Sequence, residues 1–273
     1  MGDLSFLGKV IVCGEIVIKT GMRIGGSTSG LKIGGVDLNV IVDPIGRPYI
    51  PGSSLKGKMR ALIEKEEAVE RLGFWNKKDK DGNIIGHQCK SDDEYKNCSV
   101  CKIWGVLGNT EFKESTLTRI IVCDSYLDES SITEQMKENL ELQYTEVKFE
   151  TAINRFTGTA LSKSLRQVER VPSGARFKDN GGLIIYNVFN QSDKDLLKKV
   201  FIAMELLEQD YLGGMGSRGY GRMAFNKLEV YWNKKENYEN GNIDLDPKRK
   251  INNTWDTPSK IVTNFEEIKS KLT

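Results

Sequence analysis

The fold depends on how the stretch "PGSSLKGKMR", residues 51–60, is interpreted. It could be a nucleotide-binding phosphate loop, or the start of a helix in a different fold. Gly52, Gly57 and Lys58 match the G-x-x-x-x-G-K spacing of a nucleotide-binding phosphate loop. That motif continues with Ser or Thr, whose hydroxyl binds Mg²⁺, whereas Met59 stands at this position. A phosphate loop also follows a buried strand directly, but "GRPYIPG" places two prolines before this match. Both departures count against an ATP site, and the stretch predicts the start of a helix.

Apolar residues after this start recur at helical spacing, which places Leu55, Met59, Leu62 and Ile63 on one face. Ser53 or Ser54 can cap the helix, because a serine hydroxyl accepts from the first free N–H groups. Lys56 and Arg60 are four residues apart and share a second, basic face. Such a pair is compatible with a solvated surface and equally with contact to a phosphate backbone.

Outward from this helix, the remaining elements follow from apolar and β-branched runs. Strands are predicted at 9–19, 117–124, 181–189 and 223–232, and a second amphipathic helix at 193–209. Without the intervening polar segments, the order is strand, helix, strand, strand, helix, strand. This order predicts an α+β fold with a ferredoxin-like βαββαβ core.

The polar segments define the domain organisation. We predict a core domain at residues 1–232, interrupted by insertions at 75–105 and 144–176 and followed by a polar C-terminal extension at 233–273. Residues 21–52 are rich in Gly, Ser and Pro and are predicted as a long loop, a kind of segment that often carries function. The extension is expected to be peripheral.

Composition limits the partners and the compartment. The chain has 273 residues and 38% hydrophobic content, enough for a substantial core. Its 40 basic and 38 acidic residues leave a net charge of only +2, so any basic surface must be local. No apolar run is long enough to span a membrane, and the N-terminus lacks the pattern of a signal peptide. We expect a cytoplasmic protein whose cysteines are thiols or metal ligands.

A cluster of soft ligands lies in the first insertion. His87 and Cys89 are followed by Cys98 and Cys101, so four ligands fall within fifteen residues of polar sequence. This pattern favours a tetrahedral Cys₃His zinc site, whose four protein ligands make it structural rather than catalytic. Free thiols or a redox pair at 98 and 101 are the alternatives. Because His87 is the only histidine, no His–His pair is available for acid–base catalysis.

Two further motifs imitate nucleotide-binding sites. Gly214, Gly216 and Gly219 spell G-x-G-x-x-G, but a helix precedes them and a strand follows, the reverse of a dinucleotide fingerprint. The segment "RIIVCD", ending at Asp124, imitates the partner strand of a phosphate loop and does not rescue the failed match at 51–60. The glycine-rich stretch is compatible with a hairpin turn and, through its arginines and tyrosine, with contact to a polyanion.

Two aspartates in the glycine-rich loop are the remaining candidates. Asp37 lies in "KIGGVDLNV" and Asp43 follows in "VDPIG". A carboxylate near a basic face can bind a divalent ion beside a phosphate, but a loop aspartate is more often a turn former. The residues alone leave both interpretations open.

Taken together, these stretches resemble one family. "TGMRIGGSTSG", "GGVDLNVIVDPIGRPYIPGSSLKGKMRALIE", "IWGVLG", "YTEVKFETAINRFTG", "RQVER" and "DYLGGMGSRGYGRMAF" occur in the order of the repeated backbone subunit of type III-A CRISPR effectors, the Csm complex, in the RAMP superfamily. The resemblance covers roughly residues 8–230; the metal-ligand insertion occurs in only some members, and the tail after 233 has no counterpart.

The resemblance implies a ferredoxin-like or RRM-like core with a thumb-like hairpin and a glycine-rich loop. It implies that copies stack head to tail along a CRISPR RNA, beside other Csm subunits, and cleave complementary target RNA at six-nucleotide intervals. The catalytic residue carried over by motif is Asp37, acting with Mg²⁺ or Mn²⁺. No membrane partner is implied.

The resemblance also implies RNA contacts on three segments. The helix start carries over as guide-binding residues Ser53, Ser54, Lys56, Lys58 and Arg60, and the glycine-rich loop contributes Ser217 and Arg218. The thumb-like segment contributes Arg155, Arg166 and Arg170, and Arg23 lines the same path.

Three alternatives remain at this stage. The first is a non-catalytic RNA-binding scaffold of the same fold, in which Asp37 is only a turn residue. The second is a RAMP-type CRISPR RNA processing nuclease acting as a single subunit, but such enzymes often use histidine. The third is a P-loop ATPase, which predicts ATP binding by the isolated chain.

Overall fold

The computed structural model describes residues 5–26, 36–69, 73–106, 112, 116–241 and 245–273. The first half contains β1 (Gly8–Ile18), β2 (Tyr49–Ile50), α1 (Gly52–Ala68), β3 (Lys77–Lys78), β4 (Ile84–Gly86), α2 (Asp92–Lys96), α3 (Ser99–Trp104), β5 (Ile120–Val122), β6 (Ser125–Leu127) and α4 (Glu134–Lys137). The second half contains β7 (Glu146–Glu150), β8 (Arg166–Arg170), β9 (Arg176–Lys178), β10 (Ile184–Val188), α5 (Gln191–Glu208), β11 (Met223–Lys234), α6 (Lys235–Glu239), α7 (Pro258–Thr263) and α8 (Phe265–Ser270).

The longest strands form the centre of an antiparallel sheet. β1 pairs with β10 on one side and β11 on the other, and β5 extends the sheet beyond β10. The resulting order, β11–β1–β10–β5, contains two strand–helix–strand crossovers, through α1 and α5. The predicted element order is therefore confirmed. The strand predicted at 117–124 is shorter than expected, because the chain breaks after β5 and starts β6.

The two long helices supply the core that covers this sheet. The predicted apolar face of α1 is buried, and α5 buries Leu197, Phe201 and Met204 at helical spacing. Burying each such large apolar side chain contributes about 1.5–3 kcal/mol relative to its exposure. α1 packs against β5, and β2, directly before α1, pairs with β6, which fixes the start of the helix where the candidate site begins.

The two insertions adopt different kinds of structure. Residues 75–105 contain the β3–β4 hairpin and α2 and α3, and α3 packs against α1 and α5. Residues 144–176 contain the β7–β8 hairpin, a two-stranded sheet of its own, before β9 joins β1 and β6. The first insertion thus shares the common core, whereas the second extends from it.

The C-terminal segment packs more closely than the sequence suggested. β11 continues to Lys234, past the predicted boundary, and α7 and α8 pack on α5. The apolar side chains on this segment are buried and recur every three or four residues: Ile261, Phe265, Ile268 and Leu272. The expectation of a peripheral extension is therefore wrong for 258–272, because these four side chains join the hydrophobic core. Among the described residues, the chain has no helix with the length and apolar character needed to cross a membrane.

Candidate functional site

The segment that carries Asp37 lies along the hairpin strand β8. Leu38 forms a parallel bridge with Val168, donating from its backbone N–H to Gln167 O at 3.2 Å and accepting from Glu169 N at 2.9 Å. The segment is therefore held like a short added strand. Of the loop predicted at 21–52, residues 27–35 lie outside the described residues.

The two loop aspartates have different partners. Asp43 accepts from the backbone N–H groups of Ile45 and Arg47 at 3.0 and 2.9 Å, the pattern of a local Asx turn. Asp37 instead accepts at Oδ2 from the backbone N–H of Gln167, a distant residue of β8, at 2.9 Å, and its side chain is exposed. The turn-former interpretation thus describes Asp43, while Asp37 presents a carboxylate oriented by another part of the chain.

Arg23 connects this segment to the second glycine-rich loop. Its Nε donates to Leu38 O at 3.3 Å, and its own carbonyl accepts from Gly214 N at 2.8 Å. Gly213 has a φ of +86°, and a Cβ there would lie 2.2 Å from Arg23 O, so this position requires glycine. Burial lowers the pKa of Arg23, an effect that the charge of Glu169 opposes. Two loops predicted separately therefore form one surface.

The paired strands of the β7–β8 hairpin, below its outer turn at 151–165, carry a cluster of charges around Glu150. Glu150 accepts from Tyr220 OH at 2.6 Å and pairs with Arg166 at 2.9 Å and Arg218 at 3.4 Å. The Tyr220 hydrogen bond is the largest influence on Glu150, whose pKa lies below its ordinary value. Burial, followed by the bond to Glu150, raises the pKa of Tyr220 to about 12. This one carboxylate joins the hairpin to the glycine-rich loop.

The same cluster remains basic at its surface. Lys148 and Arg170 lie over the Tyr220 ring at 4.8 and 5.0 Å from its centroid. The cationic side chains of Arg166 and Arg218 are about half exposed, at 42% and 53%. Ion pairs at such exposure contribute little to stability, so these guanidinium groups can exchange a carboxylate for a phosphate. We call Lys148, Glu150, Arg166, Arg170, Arg218 and Tyr220 the hairpin-base cluster.

The outer part of the hairpin is separate from this cluster. Arg155 is exposed in a turn beyond the paired strands, beside Phe156, which is 97% exposed. The predicted RNA-contact residues of the thumb-like segment therefore fall in two places, with Arg166 and Arg170 on the paired strand β8 and Arg155 at the tip.

The start of α1 differs from the prediction in its cap. Pro51 is the N-cap residue and no side chain caps the helix locally, so the predicted capping by Ser53 or Ser54 is wrong. Asp124 takes this role from the end of the β5 segment, accepting from Gly52 N at 2.7 Å. The carboxylate that resembled part of an ATP site therefore occupies the N–H group that a nucleotide phosphate would need.

The first three basic residues of α1 have three different environments. Lys56 reaches Ile120 O at 3.5 Å, and burial, followed by the nearby charge of Arg60, lowers its pKa. Lys58 lies 3.6 Å from the centroid of the Tyr211 ring and 3.2 Å from Asp210 Oδ1, at the start of the glycine-rich loop. Arg60 donates inward, to Glu64 and two backbone carbonyls. Lys56 and Arg60 therefore do not form the shared basic face that their spacing predicted, because Arg60 is directed towards protein partners.

The soft-ligand cluster of the first insertion is assembled. The ligand atoms of His87, Cys89, Cys98 and Cys101 lie within 4.8 Å of one another, and all four residues are buried. His87 Nδ1 lies 2.8 Å from Phe74 O, which leaves Nε2 at 3.3 Å from Cys98 Sγ. The backbone N–H groups of Cys89 and Cys101 donate to sulfur atoms of the cluster, at 3.3 Å each. These donors and this outer hydrogen bonding fit a bound metal ion.

Several contact residues of the site were not predicted. Glu150 and Glu169 were missed, although alternating charges in "EVKFE" and "RQVER" were a signal for paired strands at 146–150 and 166–170. For Tyr220 the sequence indicated a polyanion contact but not its hydrogen bond to Glu150. Asp124 and Tyr211 carried no local signal, because their partners lie far along the chain.

The sheet, the joined basic loops and the cysteine–histidine cluster define a mixed α/β protein whose exposed carboxylate lies beside a surface suited to a polyanion. Residues 15–224 match the RAMP superfamily, and the chain belongs to this superfamily.

Relatives of known name agree with this assignment. The chain is 42% identical over 240 residues to a "CRISPR system Cms endoribonuclease Csm3" from Methanocaldococcus jannaschii, with 88% of this chain and 87% of the relative covered. It is 35% identical over 226 residues to the protein of the same name from Streptococcus thermophilus, with 81% and 89% covered. A solved structure of a Csm3–Csm4 subcomplex in the type III-A CRISPR–Cas interference complex contains a similar chain, with TM-score 0.55, 29% identity and coverage of 97% and 98%.

Proposed function

We propose that this chain is the CRISPR RNA-binding backbone subunit of a type III-A effector complex and that it cleaves target RNA complementary to the guide. The relatives it resembles along most of their length are named endoribonucleases. The observation that carries the catalytic assignment is Asp37, an exposed carboxylate oriented by Gln167 N–H beside the hairpin-base cluster.

The architecture takes on specific roles in this proposal. The β11–β1–β10–β5 sheet with α1 and α5 is the ferredoxin-like or RRM-like core, and the β7–β8 hairpin is the thumb-like element. Copies of the chain stack head to tail along the CRISPR RNA in the cytoplasm, in contact with other Csm subunits. Repetition of Asp37 along this filament gives cuts at six-nucleotide intervals.

The guide-binding surface combines the three predicted segments. Lys58 and Tyr211 connect the start of α1 to the glycine-rich loop, and Arg218 connects that loop to the hairpin base. A phosphate backbone can therefore follow a continuous path. Its contacts are Ser53, Ser54, Lys56 and Lys58 on α1, Ser217 and Arg218 on the loop, Arg23, and Arg155, Arg166 and Arg170 on the hairpin.

The chemistry of cutting uses positioning rather than an imidazole base. His87 is the only histidine of the chain, and its ring lies in the buried cluster. When the RNA is bent so that a 2′-hydroxyl lies in line with the adjacent phosphate, the RNA supplies its own nucleophile. Asp37 would present its carboxylate beside this phosphate, because the N–H group of Gln167 donates to its Oδ2 and orients it.

A divalent ion, Mg²⁺ or Mn²⁺, would neutralise the charge that develops on the phosphate. Within the described residues, the only group of three or more potential ligands is the buried cysteine–histidine cluster, so Asp37 would be the main protein ligand. Mg²⁺ commonly binds through one carboxylate together with substrate phosphate oxygens, and an exposed Asp37 fits this mode.

The cysteine–histidine cluster is a structural zinc site in this proposal. Three cysteines and one histidine give the ligand set of closed tetrahedral zinc centres. His87 Nε2 and the three sulfur atoms would hold the ion. The ion would cross-link residues 87–101 and take no part in RNA cleavage.

The test uses the effector complex assembled in its host on a guide of known sequence, with Mg²⁺ and a complementary RNA. We expect Asp37→Asn to lose periodic cleavage while keeping assembly and guide content. Asp43→Asn, the same exchange in a turn residue of the same loop, should keep cutting at the wild-type positions. Normal cleavage by Asp37→Asn would favour the non-catalytic scaffold, with cutting located in another subunit.

A further inference from the structure

An ion pair on α1 holds the backbone of a metal-ligand residue. Arg60 donates from Nη2 to His87 O at 2.7 Å and from Nε to Glu64 Oε1 at 2.7 Å. The same Glu64 oxygen accepts from His87 N at 3.4 Å. Both backbone polar groups of His87 are therefore bound by two residues one helical turn apart.

The remaining groups of His87 are fixed from the opposite side. Its ring stacks on Phe74 with centroids 4.0 Å apart, and Nδ1 lies 2.8 Å from Phe74 O. Only Nε2 faces the sulfur atoms, at 3.3 Å from Cys98 and 3.6 Å from Cys89. The direction of this ligand atom thus depends on contacts that come from outside the four ligands.

Arg60 also binds the other end of the metal-ligand segment. Its Nη1 donates to Gly105 O at 2.9 Å, directly after α3, the helix that carries Cys101. Gly105 has a φ of +96°, so its carbonyl direction depends on a backbone conformation that favours glycine. One guanidinium therefore fixes the segment at both His87 and Gly105.

The burial of the pair fits this role better than contact with RNA. The Glu64 side chain is 7% exposed and the Arg60 side chain 21%, whereas Lys65 on the same helix is exposed. Each nitrogen of Arg60 already donates to a partner and the side chain is 21% exposed, so a phosphate would have to compete with these bonds. Breaking the bond to Glu64 would leave that buried carboxylate without its cation.

We propose that Arg60 and Glu64 are a positioning pair for the cysteine–histidine metal centre and that Arg60 is not a guide contact. The pair holds His87 so that Nε2 faces the ion, and it clamps the segment between His87 and Gly105 onto α1. Loss of such outer hydrogen bonds typically costs roughly 10–100-fold in metal affinity. The metal part of this proposal is independent of the proposed RNA function; only its RNA part rests on that function.

The first experiment measures metal release from the purified full-length chain loaded with Zn²⁺. A chromogenic chelator is added in excess, and the release rate is compared for wild type, Arg60→Met and Lys65→Met. Methionine keeps the apolar stem of each side chain, so Lys65→Met is the matched control on the same helix. We expect release at least roughly tenfold faster for Arg60→Met and unchanged release for Lys65→Met. Release at the wild-type rate from Arg60→Met would overturn the proposal.

The second experiment measures binding of a single-stranded guide RNA at several salt concentrations. Arg60→Met should keep the wild-type slope of log K against log salt, whereas Lys56→Met should reduce it. A reduced slope for Arg60→Met would return Arg60 to the guide surface. Unchanged slopes for both variants, with fast metal release from Arg60→Met, would contradict the proposed guide surface but support the positioning pair.

Glu64→Gln keeps the test decisive if Arg60→Met does not fold, as judged by circular dichroism. The amide oxygen can still accept from Arg60 and His87, but without a negative charge. We expect Zn²⁺ release faster than wild type, and slower than from Arg60→Met where that variant folds. Wild-type release from a folded Glu64→Gln would show that the charge of the pair does not support the metal centre.

Discussion

Glu150 is predicted to compete with RNA for the arginines of the hairpin-base cluster. Its carboxylate pairs with Arg166 at 2.9 Å and Arg218 at 3.4 Å, in the place where a guide phosphate would bind. Glu150→Gln removes this competing charge and keeps an oxygen that can accept from Tyr220 OH. We therefore expect tighter RNA binding by a protein that is no more stable.

The magnitude follows from the exposure of the two ion pairs. Each arginine is about half exposed, and pairs of this kind contribute about 0.2–1 kcal/mol. Releasing both arginines should lower the Kd for RNA roughly two- to thirtyfold, since 1.4 kcal/mol corresponds to a factor of ten. The free energy of unfolding should fall by about 0.6–3 kcal/mol, because the pair of Glu150 with Lys148 at 3.7 Å is lost together with the two arginine pairs.

The assay is fluorescence anisotropy with a labelled single-stranded guide RNA across a salt series. If one additional phosphate is bound, the slope of log K against log salt should become steeper by about 0.7. Glu239→Gln is the matched control, because it makes the same change in net charge on α6, where Glu239 pairs with Lys235. Equal effects of the two variants, or weaker binding by Glu150→Gln, would refute the competition between Glu150 and phosphate.

Three further predictions concern stability. Asp124→Ala removes the cap of α1 and should lower the free energy of unfolding in urea by about 1–2 kcal/mol; a loss below that of an exposed Asp→Ala control would argue against the cap. Phe265→Ala should cost about 3–5 kcal/mol, because the ring is buried against α5, and an unchanged transition would show that the C-terminal segment does not share the core. Hydrogen bonding by Lys178 and then Ser130 lowers the pKa of Asp128 to about 2. Because this pKa lies below its unfolded value, the stabilisation is present at neutral pH and lost as pH falls from about 4 towards 2. Asp128→Asn should flatten the stability profile in that interval, and an unaltered acid limb would contradict this.

The parts of the fold that could be predicted are those whose signal is local. The apolar spacing in α1 and α5 and the β-branched run of β1 each specify an element without knowledge of its neighbours. The spacing of Cys98 and Cys101 likewise indicated a ligand pair, and the structure brings it together with His87 and Cys89.

The parts that could not be predicted depend on pairing between distant residues. Nothing in the sequence indicated that Glu150 is a site residue, because its role depends on the pairing of β7 with β8 and on a hydrogen bond from Tyr220, 70 residues away. The C-terminal segment was judged by its polar composition, although Ile261, Phe265 and Ile268 have helical spacing. A short amphipathic run between charged residues is a weak local signal, and only packing against α5 gives it a defined structure.

The cap at Asp124 explains why "PGSSLKGKMR" imitates a phosphate loop without being one. A free helix start attracts phosphate through its N–H groups and its dipole, but here a carboxylate lies 2.7 Å from Gly52 N. That negative charge offsets the dipole and repels a nucleotide phosphate at the first turn. Any attraction of α1 for RNA must therefore come from side chains further along it, chiefly Lys56 and Lys58. In the proposed function these cations would bind a strand that crosses the helix, whereas a phosphate loop encloses a phosphate at the helix end.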